Sequence, residues 1–295
     1  MSWIYGESAI DKSSAIYEQY KSNKVSKSFE LLEKKVVEYH PSLGSLHLFS
    51  EETKNKYLPL QTDKVLNFDT NYLRSRSLAY RELTFLGSIS SSKSSLHIPE
   101  QVTSEQINDF EYEIFSAIDN IKFFCPWMGD LFDKLIVEIC PVISTDKGRK
   151  GWAMTDLRLI GNIFISLQPM PNNLILQSFS IAHELSHNLF MIYQIAARPF
   201  SKDIEFTTVY SGIRKTNRPI FGALLALGAL GYMHHLGLQF LDQSTYFKNK
   251  EINFIKTLTN EYEKSLKLGI ESFNDVKLNA LGNILIRDLK SRVSL

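Results

Sequence analysis

Apolar residues recur at three- and four-residue spacing through most of this chain, while the β-branched runs that mark strands are confined to two short stretches. Between residues 13 and 39, Ile16, Tyr17, Tyr20, Val25, Phe29, Leu32 and Val36 are separated by Lys and Glu, which predicts a helix that Pro41 ends. A second helical pattern covers about residues 69–86, and its Arg74, Arg76 and Arg81 read as a solvated face. The Ser-rich run 88–95 reads as a linker or surface loop. Residues 104–124 repeat Ile107, Phe110, Ile114, Ile118 and Ile121 at helical spacing before Pro126-Trp127 breaks the pattern.

Residues 135–144 and 161–168 predict two strands. Pro141 cannot donate to a ladder, so the first is expected at an edge or bulge. Residues 146–151 predict a turn. Residues 174–197 contain neither Pro nor Gly and predict one long helix, with Asn172 or Asn173 as N-cap after Pro171. Pro219 suits the first position of another helix, expected to end near His235. Its apolar run, residues 220–233, is interrupted only by small residues, which demands close neighbours and burial. That run is too short to cross a bilayer. Two ordinary amphipathic helices are expected at about residues 244–268 and 275–293, with Glu261, Glu263, Lys264 and Lys267 facing water.

Chemistry enters with the helix at 174–197, because it contains His183-Glu184-Leu185-Ser186-His187. Positions i and i+4 lie about 40° apart around a helix, so the two imidazoles aim at one point. Glu184 sits beside the first of them, able to hold a water or orient a ligand. Such a pair suits zinc, iron, nickel or copper. With seven His in the chain, the motif arises by chance roughly once in a hundred such sequences. The bland alternative is a pair of core histidines satisfied by hydrogen bonds.

The expected fold is α+β, mainly helical: a zincin-like metal helix with a small β-sheet and a buried apolar helix. Residues 1–95 are expected to form an N-terminal helical region. Residues 96–295 are expected to form the metal-binding domain with its C-terminal helices.

At 295 residues, 44% hydrophobic and 22% charged, the chain can bury a sizeable core. A net charge of +1 leaves no basic excess to suggest nucleic acid or an anionic membrane as partner. Two cysteines, Cys125 and Cys140, make neither a disulfide framework nor a metal cluster. No secretory signal is visible at the N-terminus, so a cytoplasmic location is the default expectation.

A metal needs more than two histidines. Metzincin zinc proteases require Gly and a third His where this chain has Phe190 and Tyr193, which excludes that class. A gluzincin-type ligand could come from Glu205, eighteen residues beyond His187, although its surroundings do not read as a helix. His234 and His235 are further candidates, with capping of a helix C-terminus as their structural alternative. Arg214 and Arg218 change the picture more. A guanidinium at a helix N-terminus is a good carboxylate receptor, which an iron site using a 2-oxo diacid co-substrate wants and a hydrolytic zinc site does not require. A structural arginine tying loop to helix is the alternative.

The combination of two strands, His183-Glu184-x-x-His187, a loop, and Tyr210-Ser211…Arg218-Pro219-x-x-Gly222 opening a buried helix resembles the H-E-x-x-H peptide-modification proteins of gene clusters for ribosomally synthesised, modified peptides. The resemblance spans about residues 105–240. It implies an iron(II)- and 2-oxoglutarate-dependent peptide β-hydroxylase, with His183 and His187 on the metal and Arg218 or Arg214 on the distal carboxylate of 2-oxoglutarate. The family pattern runs on to a histidine, its third ligand, at the position that Leu225 occupies here. Two other functions stay open from the residues alone. One is a zinc metallopeptidase with Glu184 as general base and Glu205 as third ligand; the other is a binding module whose metal site is vestigial.

Overall fold

The computed structural model describes residues 2–24, 65–69, 73, 96–99, 102–144, 153–155, 161–167, 173–197, 199–200, 204 and 207–293. The expected linker at 88–95, the turn at 146–151, Arg74, Arg76, Arg81, Asn172 and Glu205 lie outside these residues. The protein is α+β and mainly helical. Among the described residues the helices are α1 (Glu7–Lys24), α2 (Ser104–Phe124), α3 (Pro126–Leu135), α4 (Leu174–Ala197), α5 (Ile220–Asp242), α6 (Asn249–Glu271) and α7 (Ala280–Lys290). The strands among them are β1 (Leu96–His97), β2 (Glu138–Ser144), β3 (Ala153–Met154), β4 (Asn162–Ser166), β5 (Thr208–Ser211) and β6 (Thr216–Pro219).

The chain forms two compact units, each discontinuous in sequence. One comprises Met1–Ile16, Ile118–Phe132 and Ser178–Leu295; the other comprises Tyr17–Ala117 and Asp133–Gln177. The boundary expected after residue 95 falls inside the second unit.

In the second unit a four-stranded mixed sheet runs in the order β1-β2-β4-β3. β2 and β4 are parallel, and β1 and β3 pair antiparallel to them. Both β2 and β4 are buried along most of their length, as parallel strands in a core must be. β2 is an interior strand, so the expectation that Pro141 marks a sheet edge is corrected. Ile139 donates to the Val65 carbonyl at 2.6 Å, and β1 pairs at Ile143 and Ser144. Pro141 has the same orientation as Ile139 and Ile143, and its missing N–H falls in the gap between those two partners. Asn162 Nδ2 and Cys140 Sγ both donate to the buried Glu138 carboxylate, at 2.9 and 3.0 Å.

The first unit is mainly helical and also contains the hairpin β5–β6. Its core helix, α5, continues seven residues past the expected end at His235, to Asp242. That makes it long and apolar enough to cross a membrane by length and composition, yet 83% of its most apolar window is buried inside the protein. It is a core helix, and its small residues serve packing. The ring of Phe190 from α4 lies against the backbone of Gly228, where a Cβ would come within 2.5 Å of it. The N-terminal segment is threaded into the same core: Ile4 and Tyr5 are buried, and Trp3 N–H donates to Asp288 of α7 at 2.5 Å. Tyr193 of α4 donates to the Trp3 carbonyl, and Tyr232 of α5 donates to that of Ile4 at 2.9 Å.

Candidate metal centre

The helix that carries the motif begins where the sequence said it would. Asn173 Oδ1 accepts from Leu176 N–H at 3.1 Å, the N-cap bond that satisfies a first-turn donor. Nothing in the following turns breaks the i→i−4 ladder, so His183 and His187 fall on successive turns of one face. Their rings meet edge to face, with centroids 4.4 Å apart and planes at 78°. Glu184 is 3% exposed, and its Oε1 lies 3.9 Å from His183 Nε2.

Both rings are held neutral. His183, 23% exposed at its side chain, is pushed down to about 4 chiefly by burial and secondly by the positive charge of Arg214. His187 is driven well below the usual imidazole range by burial, then by His183, Arg218 and Arg214. The backbone of Leu225 pulls His187 the other way. An effect that favours the protonated ring must come from an acceptor, so the Leu225 carbonyl is the group concerned. His187 Nδ1 makes no hydrogen bond of ordinary geometry in the buried interior. Metal-binding histidines commonly donate their second ring N–H to a carbonyl.

The arginines come from an element that periodicity missed. Residues 208–219 carry no alternation long enough to predict strands; they form the antiparallel hairpin β5–β6. Arg214 stands in its tip and Arg218 on β6. Pro219 is the last residue of β6 and the N-cap of α5, one position earlier than expected, with φ −49°. Arg218 folds back over the first turn of α5: a Cβ at Gly222 would sit 3.6 to 3.7 Å from the guanidinium. The charges of both arginines bear on His187, and that of Arg214 on His183 as well. The geometry brings together His183, His187 and Glu184, and the two arginines are near enough for their charge to bear on the rings.

The other candidates fall elsewhere. His234 and His235 are not a C-terminal cap; both are buried inside α5, which runs on for two more turns. His235 accepts from Trp127 Nε1 at 3.3 Å and packs on Tyr5. Among the described residues no group of three or more His, Cys, Asp and Glu side chains gathers as a metal would require. The two neutral, convergent imidazoles nevertheless fit a divalent ion as donors, since each offers a lone pair without first losing a proton. Compared with known protein families and with curated proteins, the chain matches none.

Proposed function

We propose that this protein is an iron(II)- and 2-oxoglutarate-dependent hydroxylase acting on a peptide side chain, of the H-E-x-x-H peptide-modification kind, working in the cytoplasm. The observation that carries this reading is the convergent, neutral imidazole pair together with Arg218 lying over the first turn of α5, its charge and that of Arg214 acting on the rings. A divalent cation placed beside two fixed cations is repelled unless an anion joins it. A dianionic co-substrate supplies two negative charges beyond the single carboxyl of Glu184.

His183 and His187 are the residues that would hold the ion. Bound there with 2-oxoglutarate, iron(II) supplies the oxidising chemistry: O2 is consumed, 2-oxoglutarate becomes succinate and CO2, and a substrate C–H becomes C–OH. Arg218 receives the far carboxylate of the co-substrate through its planar fork of donors. Its backing by Gly222 leaves the guanidinium room to lie along the first turn of α5. Arg214 adds a second cation from the hairpin tip. Glu184, buried beside His183, orients that side of the site.

The test is to load the full chain with iron(II) anaerobically, add ascorbate, 2-oxoglutarate and oxygen with candidate peptides, and measure succinate. Succinate that disappears in His183→Ala and His187→Ala supports the reading; its absence under all these conditions sinks it.

The closeness of Glu184 Oε1 to His183 Nε2, 3.9 Å, favours a second reading, a zinc metallopeptidase with Glu184 as general base. It requires zinc retained through dialysis and peptide cleavage that Glu184→Gln abolishes. A third reading, a non-catalytic binding module, draws on Leu225 standing where the resemblance calls for a third ligand.

A further inference from the structure

The hairpin β5–β6 has two outer edges. The bond from Ile220 N–H to the Thr207 carbonyl, 2.9 Å, fixes the alternation of its ladder. Val209–Arg218 and Ser211–Thr216 are then the hydrogen-bonded pairs. The N–H and C=O groups of Tyr210 and Asn217 point away from the hairpin in opposite directions. On the β5 side, the Tyr210 carbonyl accepts from Ser272 Oγ at 3.0 Å, at the end of α6. Gly212, just beyond β5, lies against the Ser265 carbonyl with no room for a Cβ. α6 thus covers that edge.

On the β6 side, Thr216, Asn217 and Pro219 are exposed, and no strand among the described residues pairs with this edge. Pro219 has no N–H, so the edge offers one donor and one acceptor side by side, both on Asn217. A single rung admits an extended chain in one register. Charge narrows the occupant further. Residues 208–219 include Arg214, Lys215 and Arg218 and no Asp or Glu. Arg214 and Lys215 are exposed at the tip, where Lys215 takes a left-handed turn conformation with φ 53°. Arg218 follows Asn217 directly on the same strand.

We propose that the β6 edge is the docking strand for the substrate, an extended acidic peptide segment. Its backbone pairs with Asn217, and its carboxylates meet Arg214 and Lys215. The proposal rests on the peptide-substrate reading above and deepens it, naming the register residue and the charge of the substrate.

Binding is measured by fluorescence anisotropy with the full chain, without added metal or 2-oxoglutarate, using a short labelled peptide that alternates Asp or Glu with Thr or Val. The acidic peptide is expected to bind at least about tenfold more tightly than the same pattern with Lys, and less tightly as salt is raised. Asn217→Pro removes the outward N–H, which the hairpin itself does not use, and is expected to weaken binding by about tenfold. Asn217→Ala keeps the N–H and leaves binding unchanged. In the unaltered protein, backbone N-methylation of the peptide at alternate residues is expected to reproduce the loss. Equal binding of acidic and basic peptides, or insensitivity to both Asn217→Pro and N-methylation, overturns the proposal. A peptide that docks in this way yet yields no succinate overturns the oxygenase reading and leaves the docking strand standing.

Discussion

Phe190 of the metal helix lies across the backbone of Gly228 in the buried apolar helix, with its ring edge where a Cβ would be. Gly228 has no side chain, and the ring of Phe190 occupies the space that one would take. Gly228→Ala forces the ring to move and is expected to cost about 1–3 kcal/mol by overpacking. Urea unfolding checks the value. Phe190→Ala opens a cavity and costs about 3–5 kcal/mol on its own. The double variant should cost less than the sum, because the cavity left by Phe190 accommodates the new methyl. Strict additivity would mean that the two residues do not share this contact.

Arg218 is held over Gly222 within ordinary packing distance, so the glycine can be used to move the guanidinium without removing it. Gly222→Val is expected to raise the KM for 2-oxoglutarate, and Arg218→Gln to raise it at least about tenfold, in line with loss of a charge-assisted pair. Arg218→Lys should recover only part of the loss, since a point charge does not replace a planar fork. Succinate formation at varied 2-oxoglutarate gives the comparison. An unchanged KM in Arg218→Gln removes this arginine from the co-substrate site.

The helices were legible where one face is buried for a long stretch. α2 and α4 have the bounds that periodicity, Pro126 and Pro171 suggest, because their apolar stripes and breakers agree. The end of α5 was not legible. Gly237 lies inside the helix, two residues past the expected end, where a Cβ would collide with Thr259 of α6. The hairpin was missed for a related reason. Its strands are four residues each, and β6, Thr-Asn-Arg-Pro, is polar and ends in proline, so no alternation marks it. Trp3, Ile4 and Tyr5 form an apolar triplet before Gly6, a signal that could have placed the N-terminal segment in a core. The metal motif itself was legible because an i, i+4 pair depends only on the helix. The spatial meeting of that pair with Arg214 and Arg218 depends on the hairpin and could not be read from spacing.

Leu225 is half-buried, and its carbonyl acts on His187, so its helical turn passes the histidine pair. Leu225→His is therefore expected to add a third imidazole and tighten iron(II) or zinc binding by at least about tenfold, measured by competition with a chromophoric chelator. His187→Ala in the same background should remove the gain. If Leu225→His leaves affinity unchanged, its side chain does not face the pair, and the likeness to the peptide-modification proteins fails at its third ligand.

His235 gives the protein an acid sensitivity separate from the metal site. Its ring accepts a hydrogen bond from Trp127 Nε1, 3.3 Å away, and packs against Tyr5. Burial holds its proton affinity down to about 4, with Arg292 and His234 adding repulsion. The unfolded chain binds this proton near pH 6.5, so between about pH 6.5 and 4 it takes up more protons than the folded one. Stability is therefore fully present above that window and falls as the pH drops through it, by at most about 3 kcal/mol for this group. Protonation also turns an acceptor into a donor facing the Trp127 N–H. His235→Gln keeps an acceptor at the position and does not titrate, so its unfolding free energy should depend less on pH between 7.5 and 5 than that of the unaltered protein. Urea unfolding at those two values settles it: parallel losses in both proteins would assign the acid sensitivity to other groups, with buried His234 the next to substitute.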